Sequence, residues 1–233
     1  MTTSDFGLWC VVPAAGHGAR FGGDIPKQYL PIAGKPLLLH TLERLAAHPR
    51  IAGLMVVLAF DDAYWPRLPE LDGKPIETAI GGRGRTDSVL AGVQALPHSV
   101  RAEDFVLVHD AARPCVRAND ITRLIECATG AILASPVRDT IKATDETDGV
   151  SPRISHSVPR AGLWRALTPQ MFRRGELTRA LQHAHLAGGA TDEAAAMEAQ
   201  GHRPLLIEGA DDNIKITTPA DVTLAEFLLT RIS

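Results

Sequence analysis

The feature of this sequence that most restricts its fold is the alternation of short apolar runs with longer amphipathic stretches. The runs are rich in Val, Ile and Leu, and each has the length of a strand. Near-continuous apolar runs are typical of parallel strands that are buried on both faces, and the amphipathic stretches are typical of the helices that cover those faces. The alternation therefore predicts an α/β fold with a mostly parallel sheet flanked by helices.

The predicted elements follow from these runs and from helix-start signals. The strands are expected at Leu8–Pro13, Leu54–Ala59, Ile76–Ala79, Phe105–His109 and Ala131–Ser135. The helices are expected at Pro36–Ala47, Thr86–Leu96 and Asn119–Cys127. A last helix should begin at Thr218-Pro219-Ala220-Asp221 and run to about Arg231, because an N-cap, a proline at the first helical position and an acid three residues after the cap occur together there.

One segment interrupts the alternation. Residues 137–159 are polar and charged, with two prolines and little apolar periodicity, so they cannot pack as a core element. The ends of the segment, RDTIKAT and RISHSVPR, alternate enough to pair as a hairpin. We therefore expect a single domain over residues 1–233, from which residues 137–159 project as an inserted arm.

Composition excludes several classes of protein. With 45% apolar and 22% charged residues in a chain of 233, one compact core is expected and intrinsic disorder is not. The net charge of −3 argues against a nucleic-acid or anionic-membrane surface. The longest strongly apolar run, residues 54–60, is far shorter than the ~20 residues of a membrane span, and no signal peptide is visible, which predicts a cytoplasmic protein. Three widely spaced cysteines predict reduced thiols rather than disulfides or a metal site.

The first predicted strand runs into a loop of small residues, PAAGHGARFGG at residues 13–23. Such a loop allows backbone N–H groups to approach a phosphate without obstruction by Cβ atoms. The fingerprint of NAD-binding proteins does not fit, because the third glycine falls one place late and the nearest suitable acids, Asp61 and Asp62, lie about twice too far along. The loop therefore favours a nucleotide other than NAD.

Two cations accompany this loop. Arg20 lies within it and Lys27 follows seven residues later, so both side chains can converge on one triphosphate. Nucleotidyl transfer builds negative charge on the α-phosphate and on the departing pyrophosphate, and fixed cations lower that barrier. The alternative is two solvated surface charges.

Asp110 and Lys215 are further candidates for this site. Asp110 ends an apolar strand, where open α/β sheets place their ligands, and its carboxylate suits Mg²⁺, directly or through water. Its alternative roles are a helix cap or a strut that holds Arg113. Lys215 lies between two isoleucines, so a strand there would point it away from their face. Its alternative role is an exposed strand lysine.

His183 and His185 form a His-x-His pair, but on a helix they point to different faces and no third ligand is suitably spaced. We interpret them as surface histidines and predict no metal site built from protein ligands alone.

Several motifs together resemble a known family. They are PAAGHGARFGGDIPKQYLPIAGKPLLLHTL, GGRGRTDSVLAG, VLVHDAARP, SPVRDTIK, LWRALTPQMF, TDEAAAMEAQG and DNIKITTPAD, and they cover the chain from Leu8 to about Arg231. The sequence closely resembles the bacterial 2-C-methyl-D-erythritol 4-phosphate cytidylyltransferases of the non-mevalonate isoprenoid pathway.

The resemblance implies a Rossmann-like nucleotidyltransferase fold with a protruding β-arm, and a homodimer that forms through the arm. It also implies an enzyme that transfers CMP from CTP to 2-C-methyl-D-erythritol 4-phosphate and releases pyrophosphate, with Mg²⁺ bound mainly through the CTP phosphates. No nucleic acid or membrane partner is expected.

The resemblance further assigns residues to roles. The catalytic group would comprise Arg20, Lys27, Arg160 and Lys215, with Arg20 and Lys27 as transition-state stabilisers. The CTP site would comprise Ala14, Ala15, Gly16, Gly18, Gly82, Ser88 and Asp110. The acceptor site would comprise Arg113, Thr140, Arg160, Thr168, Thr191 and Lys215, with Thr140 and Arg160 reaching from the partner subunit.

Two positions carry alternatives. Thr191 could equally be the N-cap of the helix that follows it. Arg83 stands where many family members carry an acidic residue, so a side-chain contact to the ribose is not assigned there.

Two other functions remain open from sequence. A sister cytidylyltransferase that uses ribitol 5-phosphate shares the glycine loop and the fold, and differs in the acceptor pocket. A nucleotide-sensing module would bind CTP without turnover, although it would not need two cations beside the transferred phosphorus. Pyrophosphate release distinguishes these possibilities.

Overall fold

In a computed structural model, residues 7–16, 25–144 and 151–231 are described. The strands are β1 (Leu8–Pro13), β2 (Pro31–Ile32), β3 (Lys35–Pro36), β4 (Ile51–Leu58), β5 (Glu70–Leu71), β6 (Lys74–Ile80), β7 (Phe105–Val108), β8 (Ala131–Pro136), β9 (Ile141–Thr144), β10 (Ile154–Val158), β11 (Trp164–Arg173) and β12 (Leu205–Glu208). The α-helices are α1 (Leu37–Ala46), α2 (Arg85–Ala95), α3 (Ala118–Glu126), α4 (Arg174–Leu186), α5 (Glu193–Glu198) and α6 (Pro219–Leu229).

Eight strands form the central sheet in the order β12-β8-β11-β7-β1-β4-β6-β5. The pairs β1–β4, β1–β7, β4–β6 and β8–β12 are parallel. Strand β11 runs antiparallel to both of its neighbours, β7 and β8, and the short edge strand β5 is antiparallel to β6. The predicted α/β class with a mostly parallel sheet is therefore confirmed.

Alternate residues of the central strand β1 pack on opposite faces of the sheet. Cys10 and Val12 belong to a buried cluster that includes the apolar residues of α1 and α3. Trp9 and Val11 belong to a second cluster, which includes the apolar residues of α2 and α4. Both faces are thus covered by helices, which explains why these strands are nearly continuous apolar runs in the sequence.

The carboxyl ends of the parallel strands are tied together by backbone hydrogen bonds that continue past the strands themselves. Ala14 donates its N–H to the Val57 carbonyl at 2.8 Å, and His109 donates to the Val11 carbonyl at 2.9 Å. Gly81 donates to Leu58 at 2.8 Å. The loops after β1, β6 and β7 therefore leave the sheet side by side at one edge, where open α/β sheets bind their ligands.

The elements predicted from sequence are present with ends shifted by a few residues. β2, β3, β5, β11, α4 and β12 were not predicted, whereas α5 is the helix that was expected to follow Thr191. The strand expected around Lys215 was wrong, because residues 213–217 form no strand. Ile216 donates its N–H to the Ala112 carbonyl at 2.9 Å, so this segment is held against the turn after β7 rather than in a ladder.

The pairing expected for the ends of the 137–159 segment is confirmed. β9 and β10 pair antiparallel, from Val158 opposite Ile141 to Ile154 opposite Thr144, as a two-stranded sheet separate from the central one. Most of the residues of β10 are exposed. Across the described residues, no helix combines the length and the apolar character that a membrane span requires.

Candidate active site

A cavity of about 280 Å³ opens at the carboxyl edge of the sheet. Its walls come from the loop after β1, the turn before α2, the turn after β7 and the segment that carries Lys215. The predicted site residues that line it are Ala14, Ala15, Gly16, Lys27, Gly82, Ser88, Asp110 and Lys215. A larger cavity of about 500 Å³, beside Leu8 and Phe105 at the opposite edge, is lined by none of the predicted site residues.

The glycine turn before α2 is in close contact with the loop after β1. A Cβ atom on Gly81 would lie 2.5 Å from the Ala15 Cβ and 2.7 Å from the Ser88 Oγ, so a larger residue does not fit. Gln28, which sequence reasoning missed, donates from Nε2 to the Ala14 carbonyl at 2.6 Å and supports the loop from the other side. The two backbone walls of the cavity are therefore fixed relative to each other. Gly18 and Arg20 lie outside the described residues.

Lys27 and Lys215 place two ammonium groups on the cavity. Lys27 begins a short 3-10 turn, and its Nζ donates to the Ile216 carbonyl at 2.7 Å. Lys215, the residue before Ile216, directs its own Nζ to the Asp110 carboxylate at 2.9 Å. Lys27 thus connects the 3-10 turn to the segment before α6, and Lys215 connects that segment to the turn after β7.

The Asp110 carboxylate is nearly buried, at 7% exposure, and is surrounded by positive charge. Its Oδ1 accepts from Arg85 Nε at 3.1 Å and Nη2 at 3.0 Å. Its Oδ2 lies 2.9 Å from Lys215 Nζ and 3.5 Å from Arg113 Nε. Burial alone would raise the pKa of Asp110, but Arg85, Lys215 and Arg113 outweigh it and hold the pKa well below its usual range. Asp110 is therefore a permanent anion that organises three cations.

Asp110 places one carboxylate on the cavity wall, which fits a magnesium ion that substrate phosphates would mainly hold. The described residues contain no cluster of three or more His, Cys, Asp or Glu side chains that could ligate a metal. Mg²⁺ is commonly held by one or two carboxylates together with substrate phosphates, and a single carboxylate beside a phosphate-type loop matches that pattern.

His109 fixes the backbone on which Asp110 lies. This imidazole is fully buried, with Nε2 3.0 Å from the Arg113 carbonyl and Nδ1 2.9 Å from Thr168 Oγ1. A carbonyl has no proton to donate, so Nε2 donates to it and Nδ1 accepts from the Thr168 hydroxyl. Thr168 Oγ1 in turn accepts the Asp110 N–H at 3.1 Å. Burial lowers the pKa of His109 to about 4, and the ring is neutral at physiological pH.

Arg113 and Thr168 do not line the cavity, and both lie in the buried layer beneath Asp110. Arg113 donates from Nη1 to the Asn213 carbonyl at 2.7 Å, and Asn213 donates from Nδ2 to the Thr168 carbonyl at 2.8 Å. All three residues are buried. These bonds connect the turn after β7 with β11 and with the segment before Lys215.

Three other predicted residues do not line the cavity. Thr191 is exposed and is not an N-cap, since Asp192 takes that position in α5 and accepts the Ala195 N–H at 2.9 Å. Thr140 and Arg160 are exposed beside the β9–β10 hairpin, where Arg160 donates to the Arg138 carbonyl. The interpretation of His183 and His185 as surface residues is confirmed, because both are exposed.

The structure adds two functional candidates, Arg85 and Glu193. Arg85 lines the cavity at the start of α2 and pairs with both Asp110 and the fully buried Glu193. Burial opposes the charge on Arg85, but the two carboxylates outweigh it and raise its pKa. In the sequence these residues are the second arginine of GGRGRTDS and the glutamate of TDEA, and nothing in their spacing indicates that they meet.

Comparisons with known proteins agree on one family. A family model described as "IspD: 2-C-methyl-D-erythritol 4-phosphate cytidylyltransferase" matches residues 8–231. A relative of that name from Stenotrophomonas maltophilia (strain R551-3) is 58% identical, over 96% of this chain and 97% of its own length. One from Xanthomonas oryzae pv. oryzae (strain PXO99A) is 56% identical, over 96% of this chain and 83% of its own.

Solved structures give the same result. A crystal structure of 4-diphosphocytidyl-2C-methyl-D-erythritol synthase aligns with a TM-score of 0.81 and 36% identity, over 96% of this chain and 99% of that one. The 2-C-methyl-D-erythritol 4-phosphate cytidylyltransferase from Thermus thermophilus aligns with a TM-score of 0.75 and 32% identity, over 97% of this chain and 100% of that one.

The depressed pKa of His109 predicts a pH dependence of stability. The unfolded chain protonates this histidine below about pH 6.5, whereas the folded protein does so only near pH 4. The neutral His109 ring therefore contributes to the free energy of unfolding above pH 6.5, and this contribution is lost as the pH falls toward 4. The free energy of unfolding measured by urea denaturation should fall by about 2 kcal/mol from this cause between pH 7 and pH 5.

The variant His109→Gln should lack that part of the pH dependence, and His183→Gln, at an exposed position of α4, should retain it. An equal pH dependence in His109→Gln and the wild type would show that His109 does not fold in its neutral form.

Proposed function

Because this chain belongs to the 2-C-methyl-D-erythritol 4-phosphate cytidylyltransferase family, we propose that it transfers CMP from CTP to 2-C-methyl-D-erythritol 4-phosphate. The products are 4-diphosphocytidyl-2-C-methyl-D-erythritol and pyrophosphate, and the step serves isoprenoid precursor synthesis by the non-mevalonate pathway. Both substrates are charged metabolites, and we place the reaction in the cytoplasm. The observation that carries the proposal is the single cavity that joins a glycine-rich backbone wall with Lys27, Lys215 and Asp110.

The nucleotide is held mainly by backbone. The loop of residues 14–16 and the turn at Gly82 line two sides of the cavity, with Ser88 beside the turn. Ala14 is fixed by its hydrogen bonds to Val57 and Gln28, so the backbone groups of Ala15, Gly16 and Gly82 are the ones that meet the nucleotide. A backbone carbonyl accepts a hydrogen bond from the cytosine amino group, which uracil lacks. Base selection therefore requires no charged side chain.

The transfer requires charge neutralisation more than acid–base catalysis. The acceptor is a phosphate monoester whose second pKa is near ~6, so it is largely dianionic at neutral pH and already nucleophilic. Its oxygen forms a bond to the α-phosphorus of CTP while the bond from that phosphorus to the departing pyrophosphate oxygen breaks. Arg20 and Lys27 stabilise the charge that develops on the phosphates, and Lys215 and Arg160 position the acceptor.

A magnesium ion would be held mainly by the CTP phosphates, with Asp110 as the nearby carboxylate, and would supply further neutralisation of phosphate charge. The protein's own contribution is to hold Lys27 and Lys215 beside the same cavity.

The β9–β10 hairpin serves as the dimerisation arm in this proposal. It forms a sheet of its own, and most of β10 is exposed, with Ile154 at 64%, so its surface is available to a second subunit. Thr140 and Arg160 do not line the cavity of their own chain. We therefore assign them to the acceptor site of the partner subunit, where the planar Arg160 guanidinium suits a phosphate.

Pyrophosphate release tests the reaction and its selectivity. We expect release from CTP with 2-C-methyl-D-erythritol 4-phosphate, little with ribitol 5-phosphate or with UTP, and none without an acceptor. Lys27→Ala should lower kcat on the order of 100-fold, whereas Lys35→Ala, which changes a lysine outside the cavity, should not. Equal turnover with ribitol 5-phosphate would favour the sister cytidylyltransferase, and CTP binding without any release would favour a sensor.

Complementation tests whether each site is shared between two chains. Lys27→Ala and Arg160→Ala chains are unfolded and refolded together. In a mixed dimer one site carries both lesions and the other is whole, so random mixing should restore about a quarter of wild-type activity from two nearly inactive parents. If co-refolded mixtures contain heterodimers and remain as inactive as the parents, Arg160 acts in its own chain.

A further inference from the structure

Arg85 occupies a position between two carboxylates that come from distant parts of the chain. Its Nη1 donates to Glu193 Oε1 at 2.6 Å and its Nη2 to Oε2 at 3.1 Å. On its other side, Nε and Nη2 donate to Asp110 Oδ1 at 3.1 and 3.0 Å. Only the planar, five-donor guanidinium can serve two carboxylates in this way, because a lysine ammonium presents a single compact charge.

Glu193 is itself held rigidly. It is the first residue of α5 and is fully buried. Gln170 of β11 connects this helix start to the sheet, since its Nε2 donates to Asp192 Oδ2 at 2.9 Å and its Oε1 accepts the Ala194 N–H at 2.8 Å. The Glu193 carboxylate is therefore a fixed point against which the Arg85 guanidinium is oriented.

The stability of the fold does not explain why Arg85 pairs with Glu193 and Asp110 at this depth. Moving charged groups out of water is costly, and apolar residues of similar volume often stabilise a fold as well or better. Glu193 is not part of the cavity wall, whereas Arg85 is. The effect of Glu193 on the cavity must therefore pass through Arg85.

The Arg85–Glu193 pair determines how the two oxygens of Asp110 are shared. While Glu193 occupies one side of the guanidinium, Arg85 contacts only Oδ1, and Oδ2 remains for Lys215 at 2.9 Å, with Arg113 Nε further away at 3.5 Å. Without the charge of Glu193, Arg85 would turn its fork onto both oxygens of Asp110, the geometry that arginine adopts with a single carboxylate. Lys215 would then share Oδ2 with Arg85 and be held less firmly.

We propose that Glu193 is a positioning residue of the cytidylyltransferase site, which acts through Arg85 to reserve one Asp110 oxygen for Lys215. The inference rests on the proposed function, and it deepens that function by joining the turn beside the nucleotide to the cation that positions the acceptor. Glu193 touches neither substrate in this account.

The test uses Glu193→Gln in the full-length protein, with Glu198→Gln at the exposed far end of α5 as the matched control. The first readout is brief acetylation followed by mass spectrometry, with Lys142 on the hairpin as internal reference. Lys215 should be labelled about threefold or more faster in Glu193→Gln, because a lysine held less firmly by its carboxylate is more accessible, and Glu198→Gln should match the wild type. Unchanged Lys215 labelling would overturn the proposal.

The second readout is turnover. Glu193→Gln should lower kcat by about 10-fold or more with little change in KM for CTP, since the acceptor is misplaced while the backbone walls remain intact. A kcat equal to that of the wild type would also overturn the proposal. A wild type that releases no pyrophosphate would instead defeat the proposed function, and the labelling readout would still decide the role of Glu193.

If Glu193→Gln does not fold, Glu193→Asp replaces it. The aspartate carboxylate is one methylene shorter and withdraws from the guanidinium, so Arg85 is again free to turn onto Asp110 and the same increase in Lys215 labelling is expected. Labelling at the wild-type rate in Glu193→Asp would overturn the proposal.

Discussion

The candidate active site depends on one nearly buried carboxylate, that of Asp110. It holds Arg85 from the start of α2, Arg113 from the turn after β7 and Lys215 from the segment before α6. An isolated charge at such a depth would be very unfavourable, and so would three unpaired cations. Together they compensate one another, and they concentrate positive charge beside a loop whose backbone suits phosphate. The cavity can then receive a polyanion without an extended basic surface, which agrees with the net charge of −3.

The sheet supplies the place for this carboxylate. β1 and β7 are adjacent and parallel, so the loops that follow them leave the same edge together. His109 and Thr168 then fix the Asp110 backbone against the antiparallel strand β11 through hydrogen bonds in which every polar atom of the imidazole has a partner. The anion is thus placed by the strands and held by a neutral, buried network behind it.

Much of the site could be predicted because its loops follow strands that are easy to recognise. β1, β4, β6, β7 and β8 are apolar runs, since helices cover both of their faces, and the chemistry of residues 14–16, Gly82 and Asp110 follows directly after three of them. Lys215 lines the cavity, and its role there remains a prediction from the family resemblance, whereas its alternation with isoleucines wrongly indicated a strand.

The contacts that sequence reasoning missed join residues that are far apart along the chain. Arg85 and Glu193 are separated by 108 positions, and His109 and Thr168 by 59. No periodicity or local motif carries such information, because these pairs are brought together by tertiary structure in which β11 lies antiparallel between β7 and β8. That insertion is also the topological feature that the alternation of strands and helices does not indicate.

The role of Asp110 is tested most directly by the kcat of Asp110→Asn for pyrophosphate release. The control is Asp104→Asn, because Asp104 lies just before the other end of β7 and pairs with Arg101. An amide is isosteric with the carboxylate but cannot neutralise three cations. We expect Asp110→Asn to lose activity on the order of 100-fold while it stays folded, and Asp104→Asn to retain wild-type kcat. A folded Asp110→Asn protein with kcat within about threefold of the wild type would contradict the claim that this anion organises the site.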